Sequence, residues 1–205
     1  MERSRVAVLL SGTGRTLENL LTQIASGQVP ARVELVISTR EVRGADIARA
    51  AGIPTVVLPR RAFPSEAELS QAVYAELAAH PFDLVVMAGF LRKIEIRPDF
   101  HNRIMNIHPS LLPLFGGHGL YGERVHQAVL ASGMKVSGCT VHFVNELYDA
   151  GPIILQACVP VLEDDTPGSL GARVFAEECR LYPRAIRLFA EGRLVVEGNR
   201  VRVRE

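Results

Sequence analysis

The feature that most constrains this chain is a series of short apolar runs separated by stretches of helical periodicity. Val6 to Leu10, Val33 to Ile37, Pro54 to Leu58, Asp83 to Met87 and Arg103 to Ile107 each read as a strand. Between the first two, Leu17, Leu20, Leu21 and Ile24 recur at helical spacing; before the fourth, Leu69, Val73 and Leu77 do the same. Ala45 to Ala51 is a shorter helix closed by Gly52, which suits a C-terminal cap. A strand that is apolar at consecutive positions needs cover on both faces, and parallel strands joined through helices supply it. The expected fold class is therefore α/β: a doubly wound, mostly parallel sheet with helices on both faces. Crossovers in such sheets are right-handed, and ligands sit at the carboxyl ends of the strands.

After His108 the texture changes. Residues 109–121 are rich in Pro and Gly and read as a loop. A helix is expected over 122–132, and strands over 136–145 and 152–161 that pair antiparallel. Residues 166–191 form the longest helical stretch, with Pro167 in its first turn and Pro183 as a kink point. Short runs on either side of Gly198-Asn199 predict a terminal hairpin. These are antiparallel additions toward the C-terminus. No linker, repeat or low-complexity segment interrupts the chain, so residues 1–205 are expected to form a single domain.

Composition narrows the function. With 23 basic and 22 acidic residues the net charge is +1, which sets a dedicated nucleic-acid binder aside. Cys139, Cys158 and Cys179 cannot all pair and none lies in a CxxC, so free thiols in a reducing compartment are expected. The apolar run after Met1–Arg5 is too short for a signal peptide, and no run is long enough for a membrane span. The reading is cytoplasmic, with small-molecule partners, no nucleic acid and no membrane, as a monomer or homodimer.

Four features carry chemistry. Ser11-Gly12-Thr13-Gly14-Arg15-Thr16 lies between a strand and a helix, where glycines permit a tight turn and helix-start N–H groups face an anion. A plain strand-to-helix turn explains the same residues about as well. Leu17 stands where a dinucleotide fingerprint needs its third small residue, which disfavours NAD. Asn106 and His108 lie two apart at a strand end, so both point to one face and can polarise a carbonyl together. A structural histidine is the plainer explanation for His108 alone. Asp149, in Asp-Ala-Gly-Pro before a strand, is either an ordinary turn residue or a partner that orients His108 and raises its pKa. Gly89-Phe90-Leu91-Arg92 follows the fourth strand, where ligand loops sit, though an ordinary surface loop fits equally.

Taken together, these pieces resemble the phosphoribosylglycinamide formyltransferase family. The resemblance runs in order through Ser11–Gly14, Val85–Phe90, Asn106–Pro113, Thr140–Val144 and Asp149–Gln156. It implies a formyltransferase-type Rossmann-like fold and a folate-dependent transferase of purine synthesis that uses 10-formyltetrahydrofolate as cosubstrate and needs no metal. It implies Asn106, His108 and Asp149 as the catalytic trio. Gly12, Thr13, Gly14, Arg15 and Thr16 match the loop for the ribonucleotide phosphate, and Glu178 matches an acid that contacts the ribonucleotide. Leu91, Arg92 and Ile94 match the loop that grips the pterin ring, and Asn145 to Asp149 match the other wall of that pocket. In the implied mechanism Asn106 and a protonated His108 donate to the oxyanion, with Asp149 keeping His108 charged. Arg15-Thr16 stands where the family commonly has Ser-Asn, and the glycine-rich 115–122 segment, His118 included, reads as a lid. The alternatives are another phosphorylated amine or amino sugar as acceptor, or a non-catalytic protein that binds folate or a metabolite.

Overall fold

The computed structural model describes residues 3–204. Met1 and Glu2, which enter the reading of the N-terminus, lie outside the described residues, as does Glu205. The chain divides into two compact units, residues 1–105 and 106–205.

The first unit alternates strand and helix throughout. Its elements are β1 (Ser4–Leu10), α1 (Arg15–Ala25), β2 (Ala31–Ser38), α2 (Arg43–Ala50), β3 (Thr55–Val57), α3 (Glu66–Ala78) and β4 (Leu84–Met87). Strand β5 (Ile104–His108) then carries the chain into the second unit. The order across the first unit is β3-β2-β1-β4, and its three strand pairings are all parallel. Val6 to Leu10 of β1 and all of β4 are buried at every position. Burial without alternation means that both faces of these strands are covered. Each fully buried leucine or valine there contributes on the order of 1.5–3 kcal/mol. Strand β2 starts two residues earlier than its apolar run suggests, because Ala31 pairs with Ser4 and is fully buried.

The second unit holds α4 (Glu123–Ala131), β6 (Val136–Phe143), β7 (Ile153–Pro160), α5 (Pro167–Ala190), β8 (Leu194–Glu197) and β9 (Arg200–Val203). Strands β6 and β7 pair antiparallel, as do β8 and β9, and β9 joins β7 in parallel. Strand β7 alternates in burial more than β1 does, so its two faces differ. Helix α5 starts at a capping box, in which the Thr166 side chain accepts from the Ser169 N–H and the Ser169 side chain accepts from the Thr166 N–H. It runs unbroken through the buried Pro183 to Ala190. The fold is thus mixed α/β, parallel first and antiparallel toward the C-terminus, as the apolar runs predict.

The turn from β1 into α1 is shaped by a close crossing of two glycines. Gly14 has φ +79°, and a Cβ on it would lie 2.5 Å from Gly44 Cα at the start of α2. In turn a Cβ on Gly44 would lie 2.9 Å from the Gly12 carbonyl. Gly14→Ala therefore meets both an unfavourable backbone and a backbone neighbour that cannot yield. It is expected to lower stability by roughly 1–3 kcal/mol. A urea midpoint equal to that of the parent protein would contradict this account of the turn.

Candidate active site

In the first unit, the glycine-rich turn is held from behind. The Ser11 carbonyl accepts from Arg40 Nε at 2.8 Å, the Gly12 carbonyl from the Gly44 N–H at 3.3 Å, and the Thr13 carbonyl from Arg43 Nη1 at 3.2 Å. Arg43 also donates to both carboxylate oxygens of Glu18 at 3.1 Å. With these carbonyls occupied, the turn offers an anion its N–H side. No side chain caps α1, and first-turn N–H groups have no partner within a helix. Thr13 and Arg15 are exposed, Gly12 and Thr16 are half-buried, and Gly14 is buried. Arg40 and Arg43 are supports that the motif alone does not reveal, since they follow β2 and reach the turn only through parallel pairing.

The segment after β4 places Leu91 half exposed at the surface, while Ile94 is buried. Arg92 pairs through Nη2 with Glu66 of α3 at 2.6 Å, while its Nε is buried without a hydrogen-bond partner among the described residues.

In the second unit, Asn106, His108 and Asp149 converge. His108 is 4% exposed, and both of its ring nitrogens are engaged. Nε2 donates to the Phe115 carbonyl at 2.8 Å, while Nδ1 faces Asp149 Oδ2 at 3.4 Å. A carbonyl can only accept, so the Nε2 proton is fixed and Nδ1 is the nitrogen that can gain or lose one. The Gly117 N–H donates to Asp149 Oδ2 at 2.9 Å. Asn106 Nδ2 donates to Asp149 Oδ1 at 3.5 Å and lies 3.2 Å from His142 Nε2. His142 in turn donates from Nδ1 to the Phe143 carbonyl at 2.9 Å, and its Nε2 stands beside both the Asn106 amide and Asp149 Oδ1, 3.7 Å from the latter. His142 is the residue that motif reading passes over. Its signal is its position: on β6 it shares a face with Thr140, opposite the apolar Cys139, Val141 and Phe143.

Two pKa shifts follow. Burial lowers His108 below its ordinary value of 6.5, and this outweighs the upward pull of Asp149 and of the Phe115 carbonyl. The expectation that Asp149 keeps His108 charged is thus not met: the carboxylate acts in that direction, but desolvation is larger. Burial likewise pushes the Asp149 carboxyl up, but His142, His108 and the Gly117 N–H together outweigh it and hold the carboxyl below the usual range.

The remaining expected residues fall as follows. Asn145 opens the turn that leads to Asp149, its Oδ1 accepting from the Leu147 N–H at 3.1 Å. Glu178 lies half-buried on α5 near Cys139; burial first, then the charge of Glu178, pushes that thiol up to about 12. The 115–122 segment, expected as a lid, is tied to the trio through Phe115 and Gly117, and His118 packs edge-on against Tyr148 at 5.5 Å.

A strand-end amide and imidazole beside a half-buried carboxylate are groups that suit an acyl-transfer enzyme. Residues 4–186 match the Formyl transferase family model, and the chain belongs to that family. It is 41% identical over 196 residues to the chloroplastic phosphoribosylglycinamide formyltransferase of Arabidopsis thaliana, covering 94% of this chain and 67% of the plant protein. It is 37% identical over 198 residues to the phosphoribosylglycinamide formyltransferase of Haemophilus influenzae, covering 95% and 91%. The crystal structure of glycinamide ribonucleotide transformylase 1 from Symbiobacterium toebii superposes with a TM-score of 0.92 at 47% identity, covering 100% of this chain and 95% of that one.

The buried, down-shifted His108 makes stability depend on pH with a definite sign. As pH falls through 6.5 the unfolded chain takes up a proton that the folded ring resists, so stability present above that value is lost below it. The urea midpoint is expected to drop between pH 7.5 and pH 5, and to drop less in His108→Gln. His126, lowered for the same reason, carries part of the remaining slope. Identical slopes in parent and His108→Gln would show that this ring is not desolvated.

Proposed function

We propose that this protein transfers the formyl group of 10-formyltetrahydrofolate to the amine of N1-(5-phospho-D-ribosyl)glycinamide. The products are the formylated ribonucleotide and tetrahydrofolate, a step of de novo purine synthesis. The convergence of Asn106, His108 and Asp149 carries this reading, because acyl transfer between two nitrogens needs an oxyanion donor and a proton carrier side by side. The names of the relatives supply the acceptor, and the family resemblance implies the formyl donor. The family match spans parts of both compact units, which supports reading the chain as one formyltransferase domain. Asn106, His108 and Asp149 are the proposed catalytic residues. Gly12, Thr13, Gly14, Arg15, Thr16 and Glu178 are proposed for the ribonucleotide; Leu91, Arg92, Ile94, Asn145 and again Asn106 and Asp149 for the folate. The setting is cytoplasmic.

The chemistry follows from the protonation states. The acceptor amine attacks the formyl carbon, and a tetrahedral oxyanion forms. Neutral His108 takes up the amine proton at Nδ1, since Nε2 is committed to Phe115. The resulting imidazolium is balanced by Asp149 at 3.4 Å and stands beside the new negative charge. Asn106 would exchange one of its two internal partners for the formyl oxygen. The carbon–nitrogen bond to folate then breaks as the proton passes to the departing nitrogen. No net proton is gained or lost.

The first test is an assay of folate product with and without the ribonucleotide. Product that depends on the ribonucleotide is expected; product formed equally without it would mean hydrolysis instead. His108→Ala is expected to lower kcat by at least 10²-fold while binding of both ligands survives. In the parent, kcat/KM should fall on the acid side as His108 becomes charged. Parent-like turnover in His108→Ala would remove this residue from the mechanism.

A further inference from the structure

Ser11, the last residue before the glycine-rich turn, uses all of its polar groups across element boundaries. It is 3% exposed. Its N–H donates to the Gly89 carbonyl at 3.1 Å, and its carbonyl accepts from Arg40 Nε at 2.8 Å. Its hydroxyl oxygen accepts twice, from Thr39 Oγ1 at 2.8 Å and from the Leu91 N–H at 3.3 Å. Thr39, itself buried, is fixed at the end of β2 by its N–H to the Leu10 carbonyl. One residue at the start of the glycine-rich turn thus reaches, through its side chain, both the end of β2 and the segment that follows β4.

That segment has a firm far end. Helix α3 holds it through Glu66 on Arg92, through Ser70 Oγ, which accepts from the Glu95 N–H at 3.0 Å, and through Tyr74 OH, which donates to the Glu95 carbonyl at 2.7 Å. Its near end, at Leu91, rests on the Ser11 hydroxyl, the longest of the four Ser11 contacts and so the one with room to tighten. The strand pairing beneath does not need this hydroxyl, because the Ala88 N–H to Leu9 carbonyl bond and the Ser11 N–H to Gly89 carbonyl bond are backbone.

We propose that Ser11, backed by Thr39, is a positioning residue that makes the glycine-rich turn and the 89–94 segment shift together, so that the two substrates bind interdependently. The proposal rests on the transferase reading, in which the first of these loops holds the ribonucleotide phosphate and the second the folate. When the turn closes on an anion, Ser11 moves with it, and the Leu91 N–H follows the oxygen to which it is bonded. Two sites are coupled when both bias one shared element, and the effect is reciprocal.

The test is calorimetric titration of the full chain with glycinamide ribonucleotide and with tetrahydrofolate, each alone and each with the other saturating. Tetrahydrofolate carries no formyl group, so no transfer disturbs the measurement. In the parent protein each ligand is expected to tighten the other by about tenfold. In Ser11→Ala that factor should fall toward one, with a melting temperature within a few degrees of the parent. Thr39→Val, which keeps the shape but not the hydroxyl, should lower the factor, and Thr39→Ser should restore it. Independent binding in the parent, or an undiminished factor in Ser11→Ala, overturns the proposal. A parent protein that binds neither ligand overturns the transferase reading itself, and this proposal with it.

Discussion

The arrangement of Asn106, His108 and Asp149 depends on how His108 is held from two sides at once. The Phe115 carbonyl takes the Nε2 proton and Asp149 stands at Nδ1, so the ring can neither rotate nor change tautomer without losing a buried partner. Both holders sit in the left-handed backbone region, Phe115 at φ 53° and Asp149 at φ 52°. Non-glycine residues there cost on the order of 1–3 kcal/mol each and persist only where surrounding structure enforces them. Here the enforcement is visible. Gly116 passes so close that a Cβ on it would lie 3.1 Å from Asp149 Cβ and 2.5 Å from a Leu112 methyl. Gly117 then spends its N–H on the same carboxylate. The glycine-rich stretch is thus the clamp that holds the imidazole and the carboxylate in register.

Electrostatics in this setting are a contest between burial and partners. For His108 burial wins, and the ring is held neutral; for Asp149 the partners win, and the carboxylate is held ionised. The two shifts are complementary. A neutral imidazole beside a carboxylate is ready to receive a proton, and the ion pair that results is stronger for lying away from water. His142 adds a second imidazole on the far side of Asp149, with Nε2 at 3.7 Å from Oδ1 and 3.2 Å from the Asn106 amide. Together with Asp149 it holds the Asn106 amide nitrogen, the donor end, turned toward the carboxylate.

Much of this was legible in the chain. The unbroken run Val6 to Leu10 announces a strand covered on both faces, and it is buried throughout. Thr166-Pro167 announces the start of the longest helix, and the helix starts there. Asn106 and His108 at alternate positions announce a shared face, and both reach Asp149. What stayed hidden depends on contacts between residues far apart in sequence. Arg40 and Arg43 support a turn about thirty residues away, a span set by a β-α-β crossover. His142 reads as a strand residue until its neighbours are known. The 115–122 stretch reads as a loose lid because glycine signals backbone freedom, and only its partners show that the freedom serves close approach.

By itself, then, the sequence determined the element types and the parallel-then-antiparallel character of the sheet, because these follow from local periodicity, and it put Asn106 and His108 on one face, because they stand two apart on one strand. Tertiary structure alone decided the direction in which His108 is shifted, the partners of the Asn106 amide and the contacts of Ser11. Each of these is the outcome of competing terms, desolvation against a charge or one acceptor against another. Such terms take their size only when groups distant in the chain are brought within a few ångströms of each other.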